Sequence, residues 1–488
     1  MSECSSLWKA DTDDSCDCAE TWPMKATRHP IRIFLLAIVI VLTGATACTS
    51  GDDNRPNIVL ISIDTLRTDR LGAYGYGRDL TPNLDRLAEE GVVFERAVTS
   101  AGTTWPAHAS MLTGLYPRYH GVRRNGLELD GDIPLVTELL LESGYSTGSF
   151  VSYKGMHFRG KLDRGFDVAS DSEFPPDGDD PIRNGIDTTG MALNWLEQRS
   201  DAVEPAFMWL HLFEPHSPYD LTEHSRTWMK ETGYDGFLAD GASGEELRGQ
   251  RDRILASPEH IAAMNALYDG EIELADELVG QVLDKLQSTG RLDNTIVIVV
   301  SDHGQGLGEN GNMGHGPTLR EDVLHVPLII RDFRQSQAGR RVSETVSVID
   351  LAPTIANAAL GIELPGVQGR SLMSHLSNET GEDAEREVFA EIRLWHDMDN
   401  TPDWYDEKSI AVYVDGLKFK TQHGKTEVFD PRIRPSSETR LEAPEVSEAL
   451  MAYLDSLRQE FLAGEVKPNE VELTDKEIET LKSLGYIQ

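Results

Sequence analysis

Two apolar runs, each ending in an aspartate, constrain this chain more than any other feature. NIVLISI at 57–63 leads straight into Asp64, and IVIVV at 296–300 leads through Ser301 into Asp302. Nearly unbroken runs of strand length mark strands buried on both faces, as in a parallel sheet covered by helices. In open α/β sheets, ligands bind in the crevice beyond the carboxyl ends of the strands. Two such strands therefore deliver carboxylates to the place where a site is expected.

The segments between them keep an α/β rhythm. Thr81-Pro82 reads as an N-cap with a first-turn proline ahead of NLDRLAEEG, with Gly91 as the stop and a strand at 92–94. Further strands are expected at 147–151 and 206–213, and a long amphipathic helix at 263–286. Residues 222–258 are polar and read as a helical excursion over the site. After Pro365 the pattern weakens: 375–387 reads as a charged loop, 412–420 and 427–429 as strands of a smaller unit, and the tail as a helix capped by Thr474. The fold class that follows is a three-layer α/β/α sandwich with a mostly parallel central sheet and a small C-terminal α+β subdomain. At 488 residues the chain has room for both. The expected division is a main domain at 56–373 and a C-terminal subdomain with the terminal helix at 374–488.

The N-terminal stretch reads differently. IFLLAIVIVLTGATA at 33–47 is uncharged and follows Lys25, Arg28 and Arg32. As a helix it would span ~22 Å against a hydrocarbon core of ~30 Å, which suits a signal peptide better than a membrane span. Ala45-Thr46-Ala47-Cys48 resembles a bacterial lipobox, with Cys48 as the acylated residue and 48–55 as a tether. The acidic stretch before Met24 is unlike a leader, so Met24 reads as the true start. Export and lipid anchoring to a membrane are the expectation, with an uncleaved N-terminal anchor as the alternative. Cys4, Cys16, Cys18 and Cys48 are the only cysteines, so the main domain has no disulfide framework and no cysteine nucleophile.

Charge narrows the partners. With 82 Asp and Glu against 45 Lys and Arg, the net charge of −37 argues against nucleic acid. An anionic substrate would have to be drawn by a local cation, not by the field of the whole protein.

TTWPAHASMLTG at 103–114 has the look of a loop breaking into a helix at a proline. A hydroxyl there, such as that of Thr104, meets unpaired N–H groups and the positive end of the helix dipole. Beside a metal ion it becomes a competent nucleophile. Taken alone, a Thr before Trp-Pro is an ordinary helix cap.

It is not alone. Thr104-x-Pro106-x-His108 followed by ASMLTG resembles the signature C/S-x-P-x-R and ASLLTG of the sulfatases. NIVLISIDTLRTDRLGAYGY resembles that family's first metal-binding segment, and SDHGQGLGENGNMGHG is similar to the DHG segment of the alkaline phosphatase superfamily. The resemblance implies that Asp64, Asp302 and His303 hold one divalent cation, with the Thr104 oxygen completing the shell. Carboxylates with an imidazole suit zinc first, then manganese, with calcium also possible. It further implies that His216 and His315 contact the transferred group or protonate the leaving oxygen. His211, Glu214 and His108 are weaker candidates. Asp220 and His224 have the spacing of a second metal set, which their polar segment makes a chance match.

The sequence also departs from the pattern. Threonine cannot become the formylglycine that the main-type sulfatases make from Cys or Ser. Thr65 stands where many of them have a second metal-binding Asp, His303 where they have Asn, and His108 where they have Arg. These changes point toward threonine-nucleophile relatives, the nucleotide pyrophosphatase-like phosphodiesterases and the phosphoethanolamine transferases. The expected function is metal-dependent hydrolysis of a phosphate or sulfate ester. The alternatives are phosphoethanolamine-type transfer and a non-catalytic lipoprotein that keeps the fold as a binding module.

Overall fold

Every residue of the apolar run at 57–63 is buried, because the strand it forms lies in the middle of a sheet covered on both sides. The computed structural model describes residues 53–171, 182–316, 318–334, 338–377, 386–392 and 409–431, and in the tail 440–441, 448–464, 466, 469–470 and 479. The expected leader at 1–47, Cys48 and Thr474 lie outside the described residues. No helix among the described residues is long and apolar enough to cross a membrane.

In chain order the elements that build the body are β1 (Asn57–Ile63), α1 (Pro82–Glu90), β2 (Val92–Val98), α2 (Thr104–Thr113), α3 (Val136–Glu142), β3 (Ser146–Val151), β4 (Val168–Ala169), α4 (Gly185–Glu197), β5 (Ala206–Leu212), α5 (Glu223–Thr232), α6 (Pro258–Ser288), β6 (Thr295–Ser301), β7 (His325–Asp332), β8 (Arg340–Ser347) and α7 (Leu351–Leu360). The sheet order is β8-β2-β7-β6-β1-β5-β3-β4. All strands share one direction except β7, which is antiparallel to both β6 and β2. The sheet is thus mostly parallel, with one reversed strand.

Side-chain alternation sorts the core into two layers. Ile58 and Leu60 of β1 pack on one face with residues of α2, α3 and α7, including Met111, Leu140 and Ile355. Val59, Ile61 and Ile63 pack on the other with residues of α1, α4 and α6, including Leu87, Trp195 and Leu267. A strand buried on both faces needs no polar alternation, which is the physical reason for the unbroken run.

The structure corrects several details of the sequence reading. HVPLIIRD, where no element was expected, forms β7 although it contains a proline, a residue that argues against a central strand. Pro327 falls where the β2–β7 register shifts between Val326 and Leu328, a bulge that tolerates the missing N–H. Thr81 does not cap α1 with its side chain. The first turn is capped instead from α6, where Asp276 accepts from the backbone N–H groups of Asn83 and Leu84 at 3.0 and 2.8 Å. The polar segment 222–258 is helical at α5, Gly244–Gly249 and Arg251–Leu255, and a short ribbon of Tyr219–Asp220 with Gly241–Ala242 precedes and interrupts these helices.

The C-terminal part forms a four-stranded antiparallel sheet of β9 (Val388–Glu391), β10 (Ile410–Val414), β11 (Leu417–Gln422) and β12 (Lys425–Phe429), with α8 (Glu448–Ala463) beside it. The single strand expected at 412–420 is a hairpin. Asp415 and Gly416 turn with φ of 50° and 71°, the left-handed pair that an Asp-Gly two-residue turn adopts.

Candidate active site

Asp64 follows β1 and Asp302 follows β6, and these strands pair in parallel with Ile63 opposite Ser301. Register alone therefore sets the two carboxylates side by side at the carboxyl end of the sheet. His211, the next-to-last residue of β5, pairs with Ser62 and sits on the same face as Asp64. Thr104 is the first residue of α2, and the following N–H, that of Trp105, is taken by Asn125 Oδ1 at 2.9 Å.

Candidate ligand atoms of Asp64, Asp302 and His303 lie within 4.8 Å of one another, and all three residues are buried. His303 Nδ1 donates to the Gly304 carbonyl at 3.0 Å, which leaves Nε2 with its lone pair. That Nε2 lies 3.5 Å from Asp302 Oδ2, 3.9 Å from Asp64 Oδ1 and 3.4 Å from Thr104 Oγ1. Asp302 Oδ1 accepts from the N–H of His303 at 2.8 Å and from that of Thr65 at 3.2 Å. Thr65 reaches it with a φ of 58°, a left-handed conformation that costs a β-branched residue roughly 1–3 kcal/mol.

Both Asp64 oxygens and Asp302 Oδ2 are buried and meet no hydrogen-bond partner by geometry. Burial and the adjacent Asp302 carboxyl push Asp64 well up, while the Thr104 hydroxyl works the other way. Burial likewise raises Asp302 to about 6, against the pull of His108, and lowers His303 to about 3. Orphaned oxygens facing a lone-pair nitrogen are what a divalent cation would satisfy, and its charge would reverse the carboxyl shifts. The donor set fits such an ion.

The structure brings His216 and His315 to the same place. Their Nε2 atoms are 3.0 Å apart, and the His315 ring stacks on His303 at 4.3 Å between centroids. Each turns its Nδ1 to a backbone carbonyl, His216 to Ser217 at 2.5 Å and His315 to Gly102 at 3.2 Å. Burial lowers the proton affinity of both. His211 lies 3.6 Å from Asp64 Oδ2, and neither of its nitrogens has a hydrogen-bond partner.

Other candidates have different employment. His108 Nδ1 donates to the Thr104 carbonyl at 2.8 Å, and its Nε2 meets the Ser62 hydroxyl at 3.0 Å, so its ring braces the Thr104 backbone. Glu214 accepts from the Gly185 N–H at 2.8 Å. His224 lies 3.5 Å from Glu273 and 3.4 Å from Glu277 on α6, and Asp220 is exposed, so this pair forms no second metal set.

Sequence reasoning missed two supports. Ser62 accepts from Trp209 Nε1 at 2.9 Å as well as meeting His108, and only its place in the register beside His211 marks it out. The buried Arg67 donates to the Gln305 carbonyl at 2.8 Å and pairs with Asp69 and Glu309 at 2.6 and 3.1 Å. It joins the segment after Asp64 to the segment after His303. A buried arginine has no periodic signal in sequence.

Comparison with known proteins agrees with this architecture. The family model described as Sulfatase matches residues 56–362. An N-acetylglucosamine-6-O-sulfatase of Bacteroides thetaiotaomicron is 26% identical over 431 residues, spanning 72% of this chain and 76% of that one. An arylsulfatase of Clostridium perfringens is 25% identical over 471 residues, spanning 84% and 95%. Among solved structures, a phosphonate monoester hydrolase of Agrobacterium radiobacter superposes with a TM-score of 0.65 at 22% identity, covering 86% of this chain and 99% of that one. An enzyme in complex with its substrate D-glucosamine-2-N,6-O-disulfate gives 0.67 at 22% identity, covering 84% and 98%. With the family model spanning more than half of the chain and the strand-end carboxylates in place, this protein belongs to the sulfatase family, within the alkaline phosphatase superfamily of ester hydrolases.

Proposed function

We propose that this enzyme hydrolyses a singly charged phosphate or sulfate ester through Thr104, with one zinc ion held by Asp64, Asp302, His303 and the Thr104 oxygen. The observation that carries the reading is the Thr104 hydroxyl, 3.4 Å from His303 Nε2 at the edge of a buried three-residue ligand cluster. When bound, the cation lowers the proton affinity of the hydroxyl and offsets negative charge on the ester.

The chain's own groups supply the rest. Thr104 is the first residue of α2, so the helix dipole favours both its deprotonated oxygen and an anion beside it. His108 holds the Thr104 carbonyl and so fixes where the side chain points. Thr104 Oγ forms a bond to phosphorus or sulfur as the bond to the ester oxygen breaks; the proton Thr104 gives up is taken by an Nε2 lone pair of the neutral His216–His315 pair and passed on to that leaving oxygen. Water then cleaves the threonine ester and returns the hydroxyl. Two carboxylates balance a divalent cation and burial holds the imidazoles neutral, which suits a monoanion better than a dianion. Phosphoric esters are favoured because threonine cannot supply the aldehyde chemistry of formylglycine, and hydrolysis is favoured over transfer. Export and anchoring through Cys48 belong to the same proposal, supported by the apolar run at 33–47.

Mass analysis of zinc-loaded protein quenched after exposure to nitrophenyl phosphate mono- and diesters and the sulfate ester tests the mechanism. An adduct is expected on Thr104 and is absent from Thr104→Ala. Undiminished hydrolysis by Thr104→Ala would overturn it.

A further inference from the structure

Asp64 and Asp302 come from different strands and repel each other, yet the 64–67 turn holds them face to face. Thr65 is the centre of that turn. Its left-handed φ of 58° aims its N–H at Asp302 Oδ1, and nothing in a threonine favours that conformation. What opposes its relaxation comes from the long helix α6. The Tyr268 hydroxyl donates to the Thr65 carbonyl at 2.7 Å and accepts from the Arg67 N–H at 3.2 Å. One oxygen thus bridges a carbonyl to the N–H two residues on, in place of a direct turn hydrogen bond. Tyr268 is fully buried on a helix of 31 residues, so the bridge has a rigid base. Beyond the bridge, the Arg67 guanidinium ties the turn to the Gln305 carbonyl, three residues past Asp302.

We propose that Tyr268 is a positioning residue for the cation site, its hydroxyl holding the Thr65 turn left-handed so that Asp64 and Asp302 remain paired around one ion. The proposal rests on the metal reading above. It goes beyond the ligand set because the Tyr268 hydroxyl bonds to the backbone of Thr65 and Arg67 and not to the candidate ligand atoms. Removing the hydroxyl leaves the helix packing in place while the turn loses its bridge.

Zinc alone, titrated into the metal-stripped full chain against a chromophoric chelator, reads the effect. Wild type is expected to bind one zinc ion, and Tyr268→Phe to bind it about 10- to 100-fold more weakly, the range seen when groups supporting a ligand are removed. Tyr74→Phe is the control. Its buried hydroxyl donates to the Phe94 carbonyl at 3.0 Å and accepts from the Leu328 N–H at 2.9 Å, in the sheet and off the turn. It should lower the melting temperature while leaving zinc affinity unchanged. Adding Thr65→Gly to Tyr268→Phe should recover most of the loss, because glycine takes positive φ without strain. This double variant decides the matter should the single one not fold: near wild-type affinity supports the clamp, and a deficit above about 100-fold overturns it. Wild type that binds zinc together with a folded Tyr268→Phe that binds it equally well overturns the clamp alone. Wild type that binds no divalent ion overturns the metal reading and the clamp with it.

Discussion

In the proposed mechanism the nucleophile is one hydroxyl, that of Thr104, on the first residue of a helix, and the neighbouring imidazoles are held in place by backbone carbonyls. His108 is committed to the Thr104 carbonyl and Ser62, and His303 Nδ1 to the Gly304 carbonyl, so each ring is fixed in one tautomer. Because Thr104 forms the new bond in the proposed mechanism, Thr104→Ala should lower kcat by on the order of 10³ or more. Thr104→Ser, which keeps the hydroxyl, should retain measurable turnover in the same nitrophenyl ester assay. At this scale the motif made Asp64, Thr104, Asp302, His303, His216 and His315 legible, since residue types and order are linear properties. Tyr268 and Arg67 were not legible: their value lies in a carbonyl and an N–H that no sequence pattern displays.

Between elements, buried carboxyls do work that periodicity does not announce. Asp276 of α6 caps α1, with its carboxylate on two N–H groups that have no partner inside their own helix. Asp276→Ala should cost about 1–2 kcal/mol in urea unfolding, the usual range for a lost cap. Another α6 carboxyl, Glu271, accepts from the Asp220 N–H at 2.9 Å. Burial first, and the neighbouring Glu214 second, push Glu271 up to about 8. Its folded proton affinity exceeds the unfolded one, so its contribution is fully present below about pH 4.3 and is lost as pH rises through 8. Glu271→Gln keeps a neutral acceptor. It should flatten that part of the stability profile and leave the variant at least about 1 kcal/mol more stable than wild type at pH 9, read from urea melts across pH. The strands at 57–63 and 296–300 were legible because burial on both faces writes an unbroken apolar run. Strand β7 was not, since tolerance of Pro327 depends on a bulge made with β2. The hairpin at Asp415-Gly416 carried a readable turn signal, an Asp-Gly pair between two short β-rich runs, that the single strand expected at 412–420 ran through.

Across the whole molecule, the C-terminal sheet is tied to the catalytic body by buried charge. Lys418 of β11 reaches the Leu319 carbonyl at 2.5 Å and Glu321 at 2.8 Å, and Tyr413 of β10 donates to the same Glu321 oxygen at 2.5 Å. Arg118 and Arg123 meet Glu391 of β9 at 2.9 and 2.8 Å. Residues 319–321 follow the turn that carries His315, so the subdomain braces part of the site. Lys418→Ala should lower stability by about 3 kcal/mol or more, because it strips a buried carboxylate of a cation. It should also reduce kcat more than KM, measured with a nitrophenyl ester on protein verified as folded. By itself the sequence determined the class of fold and the residue types brought to the strand ends, because hydrophobic burial is written as pattern and metal chemistry as composition. Tertiary structure alone decided which groups hold those residues in place: the strand register that sets Asp64 beside Asp302, the helix that lends Tyr268 to a strained turn, and the ion pairs that close the smaller sheet onto the larger. These depend on distances between parts of the chain far apart in sequence, and a linear pattern carries no record of such distances.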